Sequence, residues 1–257
     1  MATFLFDEII FGPVRSRRLG VSLGVNLLPT TTKVCSFDCI YCECGWTQGN
    51  QTEKLPTREL VRDKMVERFE SMKVKGEELD VITFAGNGEP TLHPNFERVI
   101  DDTIELRNKY FPSARIAVLS NSTMLHKPSI VKSLLKIDQN ILKLDSGFDE
   151  TIQLLNQPHR ATTAEEVIKH LEQFDGNFIL QTMFVRGSHK GRVVNNTTDA
   201  EVDKWLSAVK RLMPKEIMIY TIARDTPADT LSKVPVDELE AIATKARDLG
   251  IPVQVSG

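Results

Sequence analysis

Between Val34 and Gly45 the chain carries four cysteines, of which Cys35, Cys39 and Cys42 are spaced C-x3-C-x2-C, with the aromatic Tyr41 just before the third. An iron–sulfur cube needs a ligand on each of its four irons, so three thiolates leave one iron open to something that is not protein. An open metal position marks a reactive site rather than a structural one. The competing assignment is a structural zinc site that takes Cys44 as its fourth ligand. Zinc sites usually pair their cysteines as knuckles separated by a longer spacer, whereas all four here crowd into one short segment. A disulfide is disfavoured by the same crowding and by the acidic start of the chain, which does not read as an export leader. Cys44 reads as an inert small residue, with hydrogen donor and labile ligand as its other roles.

A second group of chemically able residues falls where strands are expected to end. The turn GNGEP at 86–90 follows an apolar run. Its Gly88 would let a ligand approach the backbone closely, and its Glu89 offers a carboxylate to an ammonium group. Ser120 and Asn121 follow the next run, and Lys143 and Asp145 flank Leu144 so that alternation points both to one face. Arg186 ends a further strand and is a candidate partner for an anion. Alternation puts Thr182 on its face and turns Gln181 and Val185 away. Two basic patches stand out: Arg15, Arg17 and Arg18 near the start, and Arg186, His189, Lys190 and Arg192 in a later loop. His93 reads as a turn residue, and Met183 and Met218 read as core.

The elements that must position these groups alternate in type. A short strand at 24–28 leads into the cysteine loop. A helix follows from Thr57, with Val61, Met65, Phe69 and Met72 on its inner face and Gly76 closing it. Strands are expected at 80–85, 115–119, 140–145, 177–185, 216–222 and 253–255, and helices after Pro94 and over 129–135, 163–174, 199–213 and 239–249. Thr163 and Glu166 form a capping box. Strands separated by amphipathic helices mean βαβ units and a parallel sheet. About six units fall short of the eight that close a barrel, so a single-domain α/β fold, a partial (β/α)6 TIM-type barrel, is expected. An open doubly wound sheet is the runner-up, and in both geometries ligands bind at the carboxyl ends of the strands.

The 257 residues suit one large domain over 1–257, with 1–22 as an N-terminal extension and 29–56 as the cysteine loop; two small domains are not required. No apolar run approaches the roughly 20 residues of a membrane helix. Unpaired cysteines point to a reducing cytoplasm. A net charge of −3 argues against a general nucleic-acid coat while leaving room for a local basic patch on one RNA.

The C-x3-C-x2-C spacing with its preceding aromatic resembles the cluster loop of the radical S-adenosylmethionine (radical SAM) superfamily. There the amino and carboxyl groups of S-adenosylmethionine (SAM) occupy the open iron, and the reduced [4Fe–4S] cluster splits the sulfonium to a 5′-deoxyadenosyl radical. GNGEP resembles the family's Gly-Gly-Glu-Pro motif, with Asn87 where the family carries glycine. The resemblance implies Cys35, Cys39 and Cys42 as cluster ligands and Tyr41, Gly88 and Glu89 near the amino acid part of SAM. It further implies Asn121 and Asp145 near the ribose, and Arg186 at the SAM carboxylate or an anionic substrate. It also implies the partial barrel and an electron donor such as flavodoxin or ferredoxin. The segments 12–20, 88–94, 155–158 and 181–187 are similar to the branch grouped with tRNA wyosine-base synthases, a likeness running over roughly residues 10 to 255. Those enzymes bind a second cluster through cysteines in an N-terminal extension, and this chain has no cysteine before Cys35, so that chemistry is not carried over. The substrate (RNA, protein or small molecule) does not transfer with the fold. The alternative is a non-catalytic iron–sulfur or zinc module that senses redox state or grips RNA.

Overall fold

Two strands, β1 (Ile10–Ser16) and β2 (Gly20–Val25), open the fold as an antiparallel hairpin, and from β2 onward the main sheet grows in parallel. The computed structural model describes residues 4–16, 19–47 and 53–257. Arg17 and Arg18 of the first basic patch lie outside the described residues; Arg15 is exposed on β1. The Gly12-Pro13 pair inside β1 argues against a strand when read alone. It is accommodated because β1 is an edge strand, with a register shift between Phe11 and Val14 that spans the pair.

After the cysteine loop comes α1 (Arg58–Lys75). Thr57 accepts a hydrogen bond from the Leu60 amide at its start, and Gly76 closes it in the left-handed conformation. The chain continues through β3 (Val81–Phe84), α2 (Phe96–Tyr110), β4 (Arg115–Ser120), α3 (Pro128–Leu134) and β5 (Gln139–Lys143). Two helices, α4 (Asp149–Asn156) and α5 (Ala164–Glu172), precede β6 (Ile179–Met183). A hairpin of β7 (Arg186–His189) and β8 (Arg192–Asn195) then interrupts the alternation. The chain resumes with α6 (Asp199–Leu212), β9 (Glu216–Tyr220), the two-residue β10 (Leu231–Ser232), α7 (Val236–Arg247) and β11 (Val253–Ser256). The main sheet runs β1-β2-β3-β4-β5-β6-β9-β11, and β10-β7-β8 form a small antiparallel sheet of their own.

Every parallel strand lies beside the one before it, with no reversal of order, which is the winding of a barrel wall and not of a doubly wound sheet. Among the described residues, six helical crossovers join seven parallel strands, and β1 and β11 stand at opposite, unjoined edges. The expected partial barrel is the observed fold. The apolar faces of the helices cover the outside of the sheet, where Phe69, Phe84, Phe96 and Trp205 belong to one continuous core.

The inner face follows a period of two. Val81, Ala117, Ile141, Ile179 and Met218 form an apolar plug across neighbouring strands. Two residues further along β5, β6 and β9 the same face carries Lys143, Gln181 and Tyr220. The interior is therefore dry at the amino ends of the strands and polar at the carboxyl ends. Thr182 faces the opposite way from the expectation. Its hydroxyl donates to the Leu144 carbonyl at 2.8 Å and accepts from the Trp205 indole at 3.0 Å, so Gln181 and Met183 point inward. The expectation carried alternation through to Arg186, but β6 stops at Met183 and Arg186 opens a new strand.

Candidate active site

A cavity of about 300 Å³ opens at the carboxyl ends of the strands. Cys35, Cys39, Cys42 and Cys44 line it from the loop after β2, while Glu89, Asn121, Lys143, Gln181 and Tyr220 line it from later strands. The loop is seated by backbone hydrogen bonds. On one side the Val34 amide donates to the Asn87 carbonyl (2.8 Å) and the Glu89 amide to the Val34 carbonyl (3.0 Å). On the other, the Asp38 and Ile40 amides donate to the carbonyls of Gln157 (3.2 Å) and Leu155 (2.9 Å), and the His159 amide donates to that of Ser36 (3.0 Å). The segment 155–158, singled out by its resemblance, is thus the cradle of the cysteine loop.

Gly88 has a task the sequence did not specify. Its φ is +134°, and a Cβ there would stand 1.8 Å from the Val34 carbonyl oxygen. The close approach that demands glycine is made by the cysteine loop itself. Asn87, fully buried, donates to the Phe6 (2.9 Å) and Pro29 (2.8 Å) carbonyls and accepts from the Phe6 amide (2.9 Å). A glycine there could not tie the N-terminal segment to the turn.

The sulfurs are surrounded by donors. The Asn121 side-chain amide and the Phe37 backbone amide each approach the Cys35 Sγ at 3.5 Å, and the Asn156 Nδ2 approaches the Cys39 Sγ at 3.4 Å. Lys33, 3% exposed, places its Nζ within the loop. Burial raises the Cys35 thiol against the pull of Lys33, and raises Cys39 to about 11 against that of Lys143. A hydrogen bond from the Cys44 thiol, with help from Lys33, lowers Cys42 to about 6 despite its burial; Cys44 is pushed up in return. The Cys44 Sγ also lies 3.4 Å from the Gly86 carbonyl oxygen, the alternative acceptor for its single proton. Among the described residues, no group of three or more His, Cys, Asp or Glu side chains is placed to hold a single metal ion. Amide donors aimed at buried sulfurs, with cations beside them, suit thiolate ligands of an anionic cluster.

Glu89 is 2% exposed and well supplied. Its Oε1 accepts from the Thr91 amide (3.1 Å), the Thr91 hydroxyl (2.5 Å) and Ser120 (2.9 Å), and its Oε2 from the Asn121 amide (2.6 Å). Burial raises its pKa against those bonds. Four donors knit the ends of β3 and β4 together, and Oε2 keeps one acceptor direction for a ligand.

Tyr41 lines the cavity and its phenol donates to Asp145. Asp145 is not on the wall. Its Oδ2 also accepts from Asn156 (2.7 Å), and its Oδ1 accepts from the Met183 amide (2.9 Å) beside the Lys143 ammonium at 3.6 Å. Asp145 therefore stands behind Tyr41. Burial disfavours charge on Lys143, but Asp145 and the Tyr220 phenol, 3.0 Å away, raise its pKa overall. Arg186 is placed elsewhere. Its guanidinium is ion-paired with Glu238 of α7 and donates to Thr197 at 2.7 Å, and it lines no part of the cavity. Lys33, Asn156, Gln181 and Tyr220 were not foreseen as site residues. For Gln181 and Tyr220 the signal existed: each lies an even number of residues after a floor residue on its own strand.

A half-barrel with a three-cysteine loop walling its carboxyl-end cavity is the arrangement of one enzyme superfamily. The chain belongs to the radical SAM superfamily, whose family model matches residues 30–188. It is 30% identical over 240 residues to a UPF0026 protein of Methanocaldococcus jannaschii, covering 90% of this chain and 68% of that one. It is 27% identical over 235 residues to a protein of Brachyspira hyodysenteriae named GTPase Obg, covering 90% of this chain but 32% of that one, so it spans about a third of that relative's length. Among solved structures it is similar to a radical SAM methyltransferase from Sphaerobacter thermophilus (TM-score 0.67, 16% identity, 91% of this chain and 65% of that one). It is also similar to Streptococcus suis SuiB bound to S-adenosylmethionine (0.64, 13%, 91% and 50%) and to TYW1 with a lysine-pyruvate adduct bound (0.61, 17%, 88% and 73%). No helix among the described residues is long and apolar enough to cross a membrane.

Proposed function

We propose that Cys35, Cys39 and Cys42 hold a [4Fe–4S] cluster and that the cavity binds SAM for hydrogen abstraction from a substrate. The observation that carries this reading is the set of three cavity-facing cysteines on one loop with amide donors aimed at Cys35 and Cys39. A cluster held by these three residues would supply one electron for the reductive cleavage of SAM to methionine and a 5′-deoxyadenosyl radical. Glu89 presents the free direction of Oε2 to the SAM ammonium, and Gly88 keeps the loop close. Asn121 orients Cys35 and faces the nucleotide side. Asp145 acts through Tyr41, holding its ring against the cavity. The apolar plug beneath excludes water from below.

An electron donor of the flavodoxin or ferredoxin type and a reducing, cytoplasmic setting complete the proposal. The substrate carries negative charge, matched to Lys190 alone: burial and Lys190 itself lower the pKa of His189, and Asp38 and Asp229 stand on the same groove. Lys190 and His189 line this groove of about 650 Å³ with Trp46, on the outer side of the cysteine loop. The test is anaerobic reconstitution with iron and sulfide, reduction by dithionite, and a search for 5′-deoxyadenosine after SAM is added. Release of 5′-deoxyadenosine supports the reading. Tightly bound zinc in protein purified without oxygen, with no cleavage, replaces it with the non-catalytic module.

A further inference from the structure

The cysteine loop closes around a lysine. Lys33 Nζ donates to the Gly45 carbonyl at 2.8 Å and to Asp38 Oδ1 at 3.2 Å, so all three cluster cysteines lie between the two ends of one clasp. Asp38 is held in turn, accepting from the Thr47 amide (2.7 Å) on Oδ1 and facing His159 Nε2 (2.9 Å) on Oδ2. The Lys33 ammonium is buried and lines the same cavity as the three cysteines. Glu89 lines that wall too, so a loaded site would gather several negative charges away from water. A charge in such a poorly screened place acts strongly on its neighbours.

We infer that Lys33 and Asp38 form an internal charge pair that positions the cysteine loop and sets the reduction potential of the cluster it carries. The inference rests on the cluster reading above. Adding an electron makes an anionic cluster more negative, so a nearby cation favours reduction and a nearby carboxylate opposes it. Lys33 lies on the cavity side, and Asp38 lies farther out, a fifth exposed. The two residues therefore pull the potential in opposite directions while sharing one hydrogen bond.

The experiment is an EPR-monitored redox titration of anaerobically reconstituted protein, with iron and sulfide measured per chain. Lys33→Met removes the cation at similar length, and the midpoint potential is expected to fall. Asp38→Asn keeps an acceptor for Lys33 and for the Thr47 amide, and the potential is expected to rise. Opposite shifts from two partners in one bond are what a charge role produces; a purely structural clasp predicts no such pairing of signs. If Lys33→Met fails to take up iron, the rise in Asp38→Asn still decides the matter. Wild-type and Asp38→Asn proteins that load equally and titrate at one potential overturn the inference while leaving the cluster reading intact. Wild-type protein that takes up no iron overturns both.

Discussion

The half-buried Cys35 and the buried Cys39 meet side-chain amides from Asn121 and Asn156, two residues far from the loop in sequence. Replacing Cys35, Cys39 or Cys42 by Ala is expected to abolish cluster uptake, measured as iron and sulfide per chain. Cys44→Ala is expected to retain the cluster, because its thiol is engaged with Gly86 or Cys42 rather than standing as a separate ligand. Glu89→Gln is expected to weaken SAM binding by about 2–5 kcal/mol, as loss of a buried charge partner does. Anaerobic calorimetry on reconstituted protein measures it. A Gln amide would also face the Asn121 amide donor-to-donor, so a fall in thermal stability without a change in affinity would make Glu89 a strut alone. The cysteines, Tyr41, Gly88, Glu89 and Asn121 were legible because each sits in or beside a motif or at a strand end. Asn156 lay inside the segment 155–158 that the resemblance marked, but nothing there pointed to its contact with a cysteine, because a single buried asparagine on a short helix carries no periodic signal.

Elements meet the site through backbone, and the glycine between them sets the tolerance. Gly88→Ala combines a φ open to glycine with a Cβ 1.8 Å from a backbone oxygen, so something must shift. A loss of about 2 kcal/mol or more, with reduced iron uptake, is expected from thermal unfolding and iron analysis. Gly76→Ala is the matched control: its φ is +67° and nothing stands within 4 Å, so it should cost about 1–2 kcal/mol and leave iron uptake alone. The α1–α2 seam carries a pH signature. Arg58 and Arg62 of α1 hold the Asp102 carboxyl of α2 below the usual range. A carboxyl depressed in the folded state contributes stability that is present above its unfolded value, near 3.9, and lost as pH falls through its folded value. Unfolding midpoints measured downward from pH 5 should therefore fall less steeply in Asp102→Asn. Helix boundaries such as Thr57 to Gly76 were legible from caps and spacing, whereas the β7–β8 hairpin was not. Its strands are four residues each and half polar, and read as a charged loop.

At the scale of the molecule, the strand alternation foretold the half-barrel, because six crossovers leave their period in the chain. The antiparallel additions escaped it, β1 behind its Gly-Pro pair and β10 by having only two residues. Arg186 was misplaced for the same reason, since it belongs to an inserted sheet and braces it against α7. Arg186→Met is expected to leave SAM affinity unchanged and to alter stability by no more than about 1 kcal/mol, the range of exposed ion pairs. Neutralising Lys190 and Arg192 together should lower turnover of the true substrate and make it less salt-sensitive, while cleavage of SAM alone survives. The order of the walls has a temporal meaning as well. The cavity is lined from Lys33 to Thr226, so the thiols leave the ribosome long before their last covering residues. At about 5–20 residues per second, the interval from Cys35 to Thr226 is roughly 10–40 s. Throughout it the three sulfurs face the cell without the strands that will shelter them, so oxygen encountered during synthesis reaches them more readily than oxygen met by the finished protein.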